Sequence, residues 1–236
     1  MLSQKAIPTA ERLIFALDVS SVAEAKALVE QLGDAVQFYK MGLQLFMAGD
    51  YYSLVTWLTE QGKKVFVDLK FFDVPETVAA AVKQLNGRGV TFATVHGNDE
   101  ILKAACRERG SVKILAVTVL TSLDQGDMNA LGFSVDVEKL VLSRAERAFA
   151  IGCHGVISSG MEAEGLRDKL GENLLIVVPG IRPVANVDDQ KRVVDVEDAF
   201  RKGADYIVVG RPIRNAPDPR KAAEDIQARI ARLFAR

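Results

Sequence analysis

Cysteine, histidine and tryptophan are scarce in this chain of 236 residues, which contains two cysteines, two histidines and one tryptophan. Cys106 and Cys153 have no neighbours at the spacing of a zinc site, so we expect two thiols in a reducing compartment rather than a disulfide. His96 and His154 lack the partners of a metal site. No serine or cysteine shows the arrangement of an activated nucleophile. The sequence therefore predicts no metal centre.

Long apolar runs and a charge imbalance are also absent. No run approaches the roughly 18 apolar residues that a membrane-spanning helix needs, and the first residues lack the apolar core of a signal peptide. Lysine and arginine together number 30, against 31 for aspartate and glutamate, so no overall field attracts nucleic acid. We therefore expect a cytoplasmic protein that binds neither membranes nor nucleic acid, and in which any anion site is local.

Short β-rich runs alternate with amphipathic segments along the whole chain, without a linker or low-complexity stretch. The predicted strands cover residues 13–17, 36–39, 64–67, 91–95, 112–117, 155–157, 174–178 and 206–209. The predicted helices cover residues 22–32, 51–61, 76–86, 100–109, 137–151, 162–170, 196–202 and 219–234. About eight strand–helix units in one domain, residues 1–236, predict a closed (β/α)8 barrel.

A doubly wound open sheet is the alternative architecture. That fold typically carries a Gly-x-Gly-x-x-Gly turn after its first strand. Here the first strand is followed by Leu17-Asp18-Val19-Ser20-Ser21, which contains no glycine. The missing turn favours the barrel.

Three charges follow a buried apolar strand within residues 65–77. Asp68 and Lys70 are two apart, so on a strand they point to the same side, and Pro75 suits the first turn of a following helix. Because an unpaired buried charge costs several kcal/mol, we expect Asp68, Lys70 and Asp73 to form a paired network. Such a network is either a structural salt bridge or an active site, since α/β proteins carry their chemistry at these strand ends.

Polar residues also end the other predicted strands, and in a barrel these ends share one rim. They are Asp18, Lys40, His96, Thr118, Thr121, Arg182, Gly210 and Arg211. Gly210 and Arg211 predict a phosphate site, because barrels commonly bind phosphate with the loops after strands seven and eight, and Arg182 supplies a second cation. Alternatively, Gly210 only permits a turn and Arg211 is solvated. A single histidine such as His96 is more typical of a hydrogen-bonded supporting residue than of a base.

The sequence resembles the orotidine 5′-phosphate decarboxylase family over nearly its whole length. The motifs that carry the resemblance, in this order, are Ala16-Leu17-Asp18, Tyr39-Lys40-Met41-Gly42, Asp68-Leu69-Lys70-Phe71-Phe72-Asp73-Val74-Pro75-Glu76-Thr77, Thr94-Val95-His96-Gly97, Val119-Leu120-Thr121-Ser122, Pro179-Gly180-Ile181-Arg182-Pro183, Asp189-Gln190-Lys191-Arg192 and Val209-Gly210-Arg211-Pro212-Ile213. Each motif alone is weak, but their combination is specific. The resemblance implies decarboxylation of orotidine 5′-phosphate to uridine 5′-phosphate, in pyrimidine synthesis and without a cofactor.

The resemblance also implies a role for each matching residue. Asp18 and Lys40 would hold the ribose hydroxyls, Asp68 would face the scissile carboxylate, and Lys70 would protonate carbon 6 of the pyrimidine. Lys40, Asp68, Lys70 and Asp73 would form an alternating charge network. Thr121 would contact the base, while Arg182, Gln190, Gly210 and Arg211 would hold the phosphate, with Gln190 also bridging to the base.

A homodimer with shared active sites is a further implication of the resemblance, since Asp73 and Thr77 would reach into the partner subunit's site. The chain departs from the family pattern in two places. Asp73-Val74-Pro75 replaces the commoner Asp-Ile-Pro, which removes one methylene. The segment from Arg182 to Gln190 is about one residue shorter than usual, which bears on the assignment of Gln190 and on the loop that would close over the site.

Two other interpretations compete with this one. The first is a magnesium-dependent sugar-phosphate decarboxylase or aldolase with the same Asp-x-Lys-x-x-Asp strand, but such enzymes need an acidic metal ligand at the preceding strand end, where this chain has Lys40. The second is a non-catalytic barrel that binds nucleotide phosphates. That protein would need the phosphate loops but not Lys70 between carboxylates.

Overall fold

Eight parallel strands form a closed barrel in the computed structural model of the protein, which describes residues 2–181 and 194–235. The strands pair in chain order, and the last pairs with the first. They are β1 (Leu13–Ala16), β2 (Phe38–Gly42), β3 (Lys64–Phe71), β4 (Val90–Val95), β5 (Lys113–Val117), β6 (Gly155–Ile157), β7 (Leu175–Val178) and β8 (Tyr206–Val209). The predicted (β/α)8 barrel is confirmed.

Helices surround the barrel and connect successive strands. They are α1 (Val22–Leu32), α2 (Leu43–Met47), α3 (Tyr51–Glu60), α4 (Pro75–Lys83), α5 (Asp99–Glu108), α6 (Gln125–Ala130), α7 (Val137–Ile151), α8 (Ala163–Leu170), α9 (Val196–Arg201), α10 (Arg211–Arg214) and α11 (Pro219–Phe234), with 3-10 turns at Thr9–Glu11, Gly33–Ala35 and Gly171–Asn173. Side chains cap several starts: Ser21 accepts from the Glu24 amide at α1, and Asn98 accepts from the Ile101 amide at α5.

The structure corrects the predicted ends of two strands. β2 continues to Gly42 rather than ending at residue 39, and β3 continues to Phe71 rather than to residue 67. Both extensions contain charged residues, which the apolar pattern excluded from a buried strand. They are tolerated because the charges pair with one another inside the barrel, as described below. α2, α6 and α10 were not predicted, since four to six residues are too few to show a helical period.

Two hydrophobic cores result from the alternation of side chains along each strand. The smaller fills the barrel and includes Phe38, Phe66, Phe92 and Tyr206, whose rings pack edge to face or tilted with centroids 5.0–5.9 Å apart. The larger lies between the strands and the helices. The interior core fills the barrel at the amino-terminal ends of the strands, which we call the lower end. A cavity inside the barrel can therefore form only at the carboxyl-terminal, upper ends of the strands.

A buried charge cluster closes the lower end of the barrel. Asp205, which is fully buried before β8, accepts hydrogen bonds from the Arg167 guanidinium and from the Ile176 amide, both at 2.8 Å. Lys5 pairs with the same carboxylate at 3.0 Å, which fixes the N-terminal segment across this end. Because these polar groups satisfy one another, their charges can be buried at this end of the barrel. Among the described helices, none is both long enough and apolar enough to cross a membrane.

Candidate active site

The side chains inside the barrel change from apolar to polar at its upper end, from one inward-facing residue of a strand to the next. On β2 the inward residue after Phe38 is Lys40, and on β3 the inward residue after Phe66 is Asp68. These residues open into a cavity of about 300 Å³. Its walls are formed by Ala16, Asp18, Lys40, Phe66, Asp68, Lys70, Val117, Val119, Leu120, Thr121, Ser122, Ile157, Pro179, Gly180, Val208, Gly210 and Arg211. The cavity therefore lies where barrel enzymes carry their active sites.

The carboxylate of Asp68 lies between two ammonium groups. Its Oδ1 accepts a hydrogen bond from Lys70 Nζ at 2.9 Å, and its Oδ2 is 3.2 Å from Lys40 Nζ. Lys40 Nζ is also 3.2 Å from Asp18 Oδ1. Carboxylates and ammonium groups thus alternate in the order Asp18, Lys40, Asp68, Lys70. This arrangement satisfies charges that would otherwise be very costly to bury.

The pairing decides the protonation states. Burial alone would raise the pKa of Asp68, but the charges of Lys40 and Lys70 outweigh it, so the pKa lies below its ordinary value. Burial likewise disfavours the charged form of Lys40, yet Asp68 and Asp18 raise its pKa above the usual value. At neutral pH Asp68 is a carboxylate and Lys40 an ammonium ion. The two carboxylates and two ammonium groups of this cluster therefore sum to a net charge of zero.

A bulge in β3 gives Lys70 its position. β3 takes four residue steps from Val67 to Phe71 while β4 takes two, from Ala93 to Val95. Within the bulge Lys70 has φ = 48°, a left-handed conformation that is rare for a residue with a side chain. Its backbone amide, displaced from the strand ladder, donates to Thr94 Oγ1 at 2.9 Å. Strain of this kind persists only where the surroundings hold it, and it is common at functional sites.

Thr94 connects the bulge to the charge network, and sequence reasoning assigned it no role. Its fully buried hydroxyl accepts from the Lys70 amide and donates to Asp68 Oδ1, also at 2.9 Å. One side chain thus fixes the backbone of the ammonium residue and the carboxylate that pairs with it. The available signal was its spacing, since Thr94 follows Phe92 by two residues and therefore continues the inward face of β4.

Two glycines lie close to other groups at the ends of β2 and β8. A Cβ atom on Gly42 would lie 3.3 Å from Asp18 Oδ1 and 3.4 Å from Lys40 Nζ. A Cβ atom on Gly210 would lie 3.2 Å from the Cβ of Ala16. The 3.3 Å distance at Gly42 and the 3.2 Å distance at Gly210 are shorter than most Cβ contacts, so at either position a larger residue would require its neighbour to shift by a few tenths of an ångström. At the β8 end, Gly210 and Arg211 share the cavity wall, where the sequence predicts the phosphate site.

Seven of the predicted site residues converge on the cavity: Asp18, Lys40, Asp68, Lys70, Thr121, Gly210 and Arg211. Asp73 and Thr77 do not line it and are exposed. Within the part of the chain that the structure describes, Asp73 makes no ion pair, and its Oδ1 accepts from the Val74 amide at 2.6 Å. The predicted network of Lys40, Asp68, Lys70 and Asp73 is thus assembled within one chain without Asp73. Arg182 and Gln190 lie outside the described residues.

His96 lies beside this cavity rather than in its wall. Its ring packs against Phe72 with centroids 5.2 Å apart, and it borders a neighbouring cavity of about 700 Å³. Burial, followed by the charges of Arg144 and Lys70, lowers its pKa, so the ring is neutral at pH 7. Its Nδ1 is buried and has no hydrogen-bond partner among the described residues, so the hydrogen-bonded supporting role expected from the sequence is not borne out.

The donor set does not favour a divalent cation. In residues 2–181 and 194–235, no group of three or more histidine, cysteine or acidic side chains is arranged to hold a metal ion. Two carboxylates of the cavity wall, Asp18 and Asp68, are bridged by the Lys40 ammonium at 3.2 Å from each. A cation of the chain itself thus lies between the oxygens that a metal would need.

Comparison with known proteins gives the family. The sequence profile of the "Orotidine 5'-phosphate decarboxylase / HUMPS family" matches residues 11–226. The chain belongs to this family. An orotidine 5′-phosphate decarboxylase of Methylococcus capsulatus is 66% identical over 236 residues, which are 99% of this chain and 98% of the relative.

Relatives with the same name and solved structures agree with that assignment. An orotidine 5′-phosphate decarboxylase of Stenotrophomonas maltophilia is 49% identical over 228 residues, covering 95% of both chains. The crystal structure of the orotidine 5′-phosphate decarboxylase from Lactobacillus acidophilus superposes with a TM-score of 0.83 at 35% identity, covering 93% of this chain and 99% of that one. The fold and the family expected from the sequence are therefore both confirmed.

We expect Thr94→Val to lower kcat for orotidine 5′-phosphate, the substrate in the family's name, by roughly tenfold to a hundredfold. Valine has the shape of threonine but removes a charge-assisted hydrogen bond to Asp68 and leaves the Lys70 amide without its acceptor. Thr94→Ser is the matched control, because it keeps the hydroxyl and should remain within a few-fold of wild type. Equal turnover in the two variants, both folded by circular dichroism, would show that the hydroxyl does not position the charges.

Proposed function

We propose that this chain decarboxylates orotidine 5′-phosphate to uridine 5′-phosphate in pyrimidine nucleotide synthesis, with Lys70 as the proton donor. The observation that carries the proposal is the buried carboxylate of Asp68 between Lys40 and Lys70, in a cavity at the upper end of a barrel of this family. A non-catalytic barrel that binds nucleotide phosphates would not need these charges.

The proposed reaction requires electrostatic stabilisation of a developing negative charge. Loss of carbon dioxide from the pyrimidine leaves an electron pair on a ring carbon that has no cofactor to delocalise it. A fixed cation beside that carbon stabilises the charge as it develops, and an ammonium group can then deliver a proton to the same atom. Lys70 meets both needs, since its ammonium is held at 2.9 Å by Asp68 and its backbone by Thr94. The reaction then needs no cofactor.

Asp68 contributes in a second way. It is only 8% exposed and ionised, and in our proposal it faces the carboxylate that leaves. Repulsion between the two carboxylates would be relieved as carbon dioxide departs. The same group holds Lys70 Nζ at 2.9 Å, so the charge that destabilises the bound carboxylate also positions the proton donor.

The order of residues around the barrel supports the assigned orientation of the nucleotide. Neighbouring strands β8, β1, β2 and β3 present, in turn, Gly210 with Arg211, then Asp18, then Lys40, then Asp68 with Lys70. A nucleotide consists, in order, of phosphate, ribose and base. Phosphate at Gly210 and Arg211, ribose hydroxyls at Asp18 and Lys40, and the reacting carbon at Lys70 follow that order. Thr121, across the cavity on the β5 side, would contact the base.

A homodimer with shared sites is part of the proposal. Apolar side chains are exposed after β2 and β3, on the rim that carries the cavity: Met47 is 78% exposed, Phe72 68% and Val74 63%. Phe72 and Val74 flank Asp73, and Thr77 follows on α4. Burying these apolar groups against a second copy would bring the Asp73 carboxylate and Thr77 towards that copy's cavity.

A cytoplasmic location agrees with the two free thiols.

Lys70→Ala should abolish decarboxylation while the fold and binding of uridine 5′-phosphate persist. The variant removes the proposed acid beside the reacting carbon and leaves the phosphate end of the cavity intact. Turnover is followed by the loss of orotidylate absorbance in metal-free buffer with a chelator. Lys113→Ala, an exposed lysine at the other end of the barrel, should behave as wild type. Substantial turnover by Lys70→Ala without added amine would sink the assignment.

Arg211→Ala should reduce kcat/KM by roughly tenfold to a hundredfold or more, because a charge-assisted contact to a dianion contributes about 1.5–3 kcal/mol. The comparison that decides its role uses orotidine, which lacks the phosphate and should be turned over equally slowly by variant and wild type. Arg201→Ala, on the exposed side of α9, serves as the control. A loss of the same size on both substrates would mean that Arg211 does not bind phosphate.

Mixing two inactive variants tests the shared site. Asp73→Asn and Lys70→Ala should each be nearly inactive, but a heterodimer would contain one site with both lesions and one with neither. Random re-pairing of an equal mixture should therefore restore roughly a quarter of wild-type activity per site.

A second mixture provides the matched control for this restoration. Asp68 and Lys70 contact each other within one chain, so Asp68→Asn mixed with Lys70→Ala leaves every site damaged and should restore nothing. If the Asp73 mixture also stays inactive after subunit exchange, as verified by native mass spectrometry, then Asp73 acts within its own chain.

A further inference from the structure

The two cysteines of the chain lie in contact, far from each other in sequence. Cys106 Sγ and Cys153 Sγ are 3.6 Å apart, and both are free thiols, as the sequence predicted. Cys106 is on the last turns of α5, and Cys153 lies between the glycine that ends α7 and the start of β6. Neither residue lines the candidate active site. The pair therefore has no role in the proposed decarboxylation.

We propose that Cys106 and Cys153 form a redox modification site, in which hydrogen peroxide or an organic hydroperoxide converts the two thiols into a reversible intramolecular disulfide. Cys106 is the thiol that reacts with the peroxide, and Cys153 is the thiol that resolves the product.

The surroundings of the two sulfurs assign these roles. Cys106 is partly exposed, whereas Cys153 is only 4% exposed, so an oxidant in solution reaches Cys106 first. A hydrogen bond from the Cys153 thiol lowers the pKa of Cys106, and the nearby charge of Arg109 lowers it further against the opposing effect of burial. The pKa of Cys153 is raised by the same hydrogen bond and by burial. An accessible thiol with a lowered pKa beside a resolving cysteine is the arrangement that favours reversible oxidation.

The chemistry balances in two steps. The Cys106 thiolate attacks one oxygen of the peroxide, the O–O bond breaks, and the products are a sulfenic acid and hydroxide, or an alkoxide from an organic peroxide. The sulfur of Cys153 then attacks Cys106 Sγ, the S–O bond breaks, and the thiol proton leaves with the hydroxyl group as water. Two thiols lose two electrons to the peroxide. A dithiol reductant reverses the reaction by exchange.

The two sulfur atoms need to move only a short distance to form the disulfide. A disulfide bond is about 2.05 Å long, so the two sulfurs, 3.6 Å apart, must approach by about 1.5 Å. The end of α5 lies at the lower side of the barrel, because helices in this fold run antiparallel to the strands. The thiol pair is thus at the end opposite the cavity and the proposed dimer face, and stays accessible in the proposed homodimer.

The test uses the reduced wild-type protein, freed of reductant and treated with a few equivalents of hydrogen peroxide. Both thiols per chain should be lost, the intact mass should fall by two hydrogen atoms, and peptide mapping should link Cys106 to Cys153 within one chain. Dithiothreitol should restore both thiols. Disulfides between chains, or sulfinic acid at Cys106 without a disulfide, would overturn the proposal.

Two variants separate the roles of the sulfurs. Cys153→Ser should stop at the sulfenic acid, which dimedone labels at Cys106, whereas Cys106→Ser should consume peroxide at least about tenfold more slowly. Retained decarboxylase activity checks that both variants fold, and Cys153→Ala replaces Cys153→Ser if the buried hydroxyl destabilises the protein. Oxidation of Cys106→Ser at the wild-type rate would contradict the assignment of Cys106 as the reactive thiol.

Discussion

The site depends on one buried carboxylate. Asp68 is ionised inside the barrel because two ammonium groups and one hydroxyl contact it. Without Asp68, Lys40 and Lys70 would be like charges brought together at the mouth of an apolar core. Without the ammonium groups, the carboxylate would be protonated or excluded. The cluster is stable only as a unit, which is the condition for pre-organised electrostatic catalysis.

The barrel makes this unit possible through the alternation of its strands. Phe38, Phe66 and Phe92 fill the interior below, and the next inward positions are Lys40, Asp68 and Thr94. The aromatic layer removes water beneath the charges and so strengthens their interactions. The same layer packs beneath the side chains of Lys40, Asp68 and Thr94 and so restricts their rotamers. Core packing and site electrostatics are therefore consequences of one period-two pattern on adjacent strands.

Sequence patterns predicted most of this architecture, and the exceptions have a common cause. The strands, the long helices and seven residues of the cavity wall follow from apolar periodicity and from the position of polar residues at strand ends. The lengths of β2 and β3 were wrong because Lys40 and Asp68 are acceptable inside a strand only when they meet across it. The bulge at Lys70 and the double hydrogen bond of Thr94 depend on register between strands, which no single segment encodes.

The left-handed backbone conformation of Lys70 determines both the position of its ammonium group and the residues that this group contacts. An unstrained strand would send residues 68 and 70 to the same side at successive levels, with the ammonium stacked above the carboxylate. The two extra residues of the bulge instead let Lys70 fold back, so that its Nζ reaches Asp68 Oδ1 while its amide reaches Thr94. The backbone strain is thus offset by the hydrogen bond to Thr94 and the ion pair with Asp68. A proton donor held in this way has little freedom to reorient, which suits a reaction whose charge develops at one carbon atom.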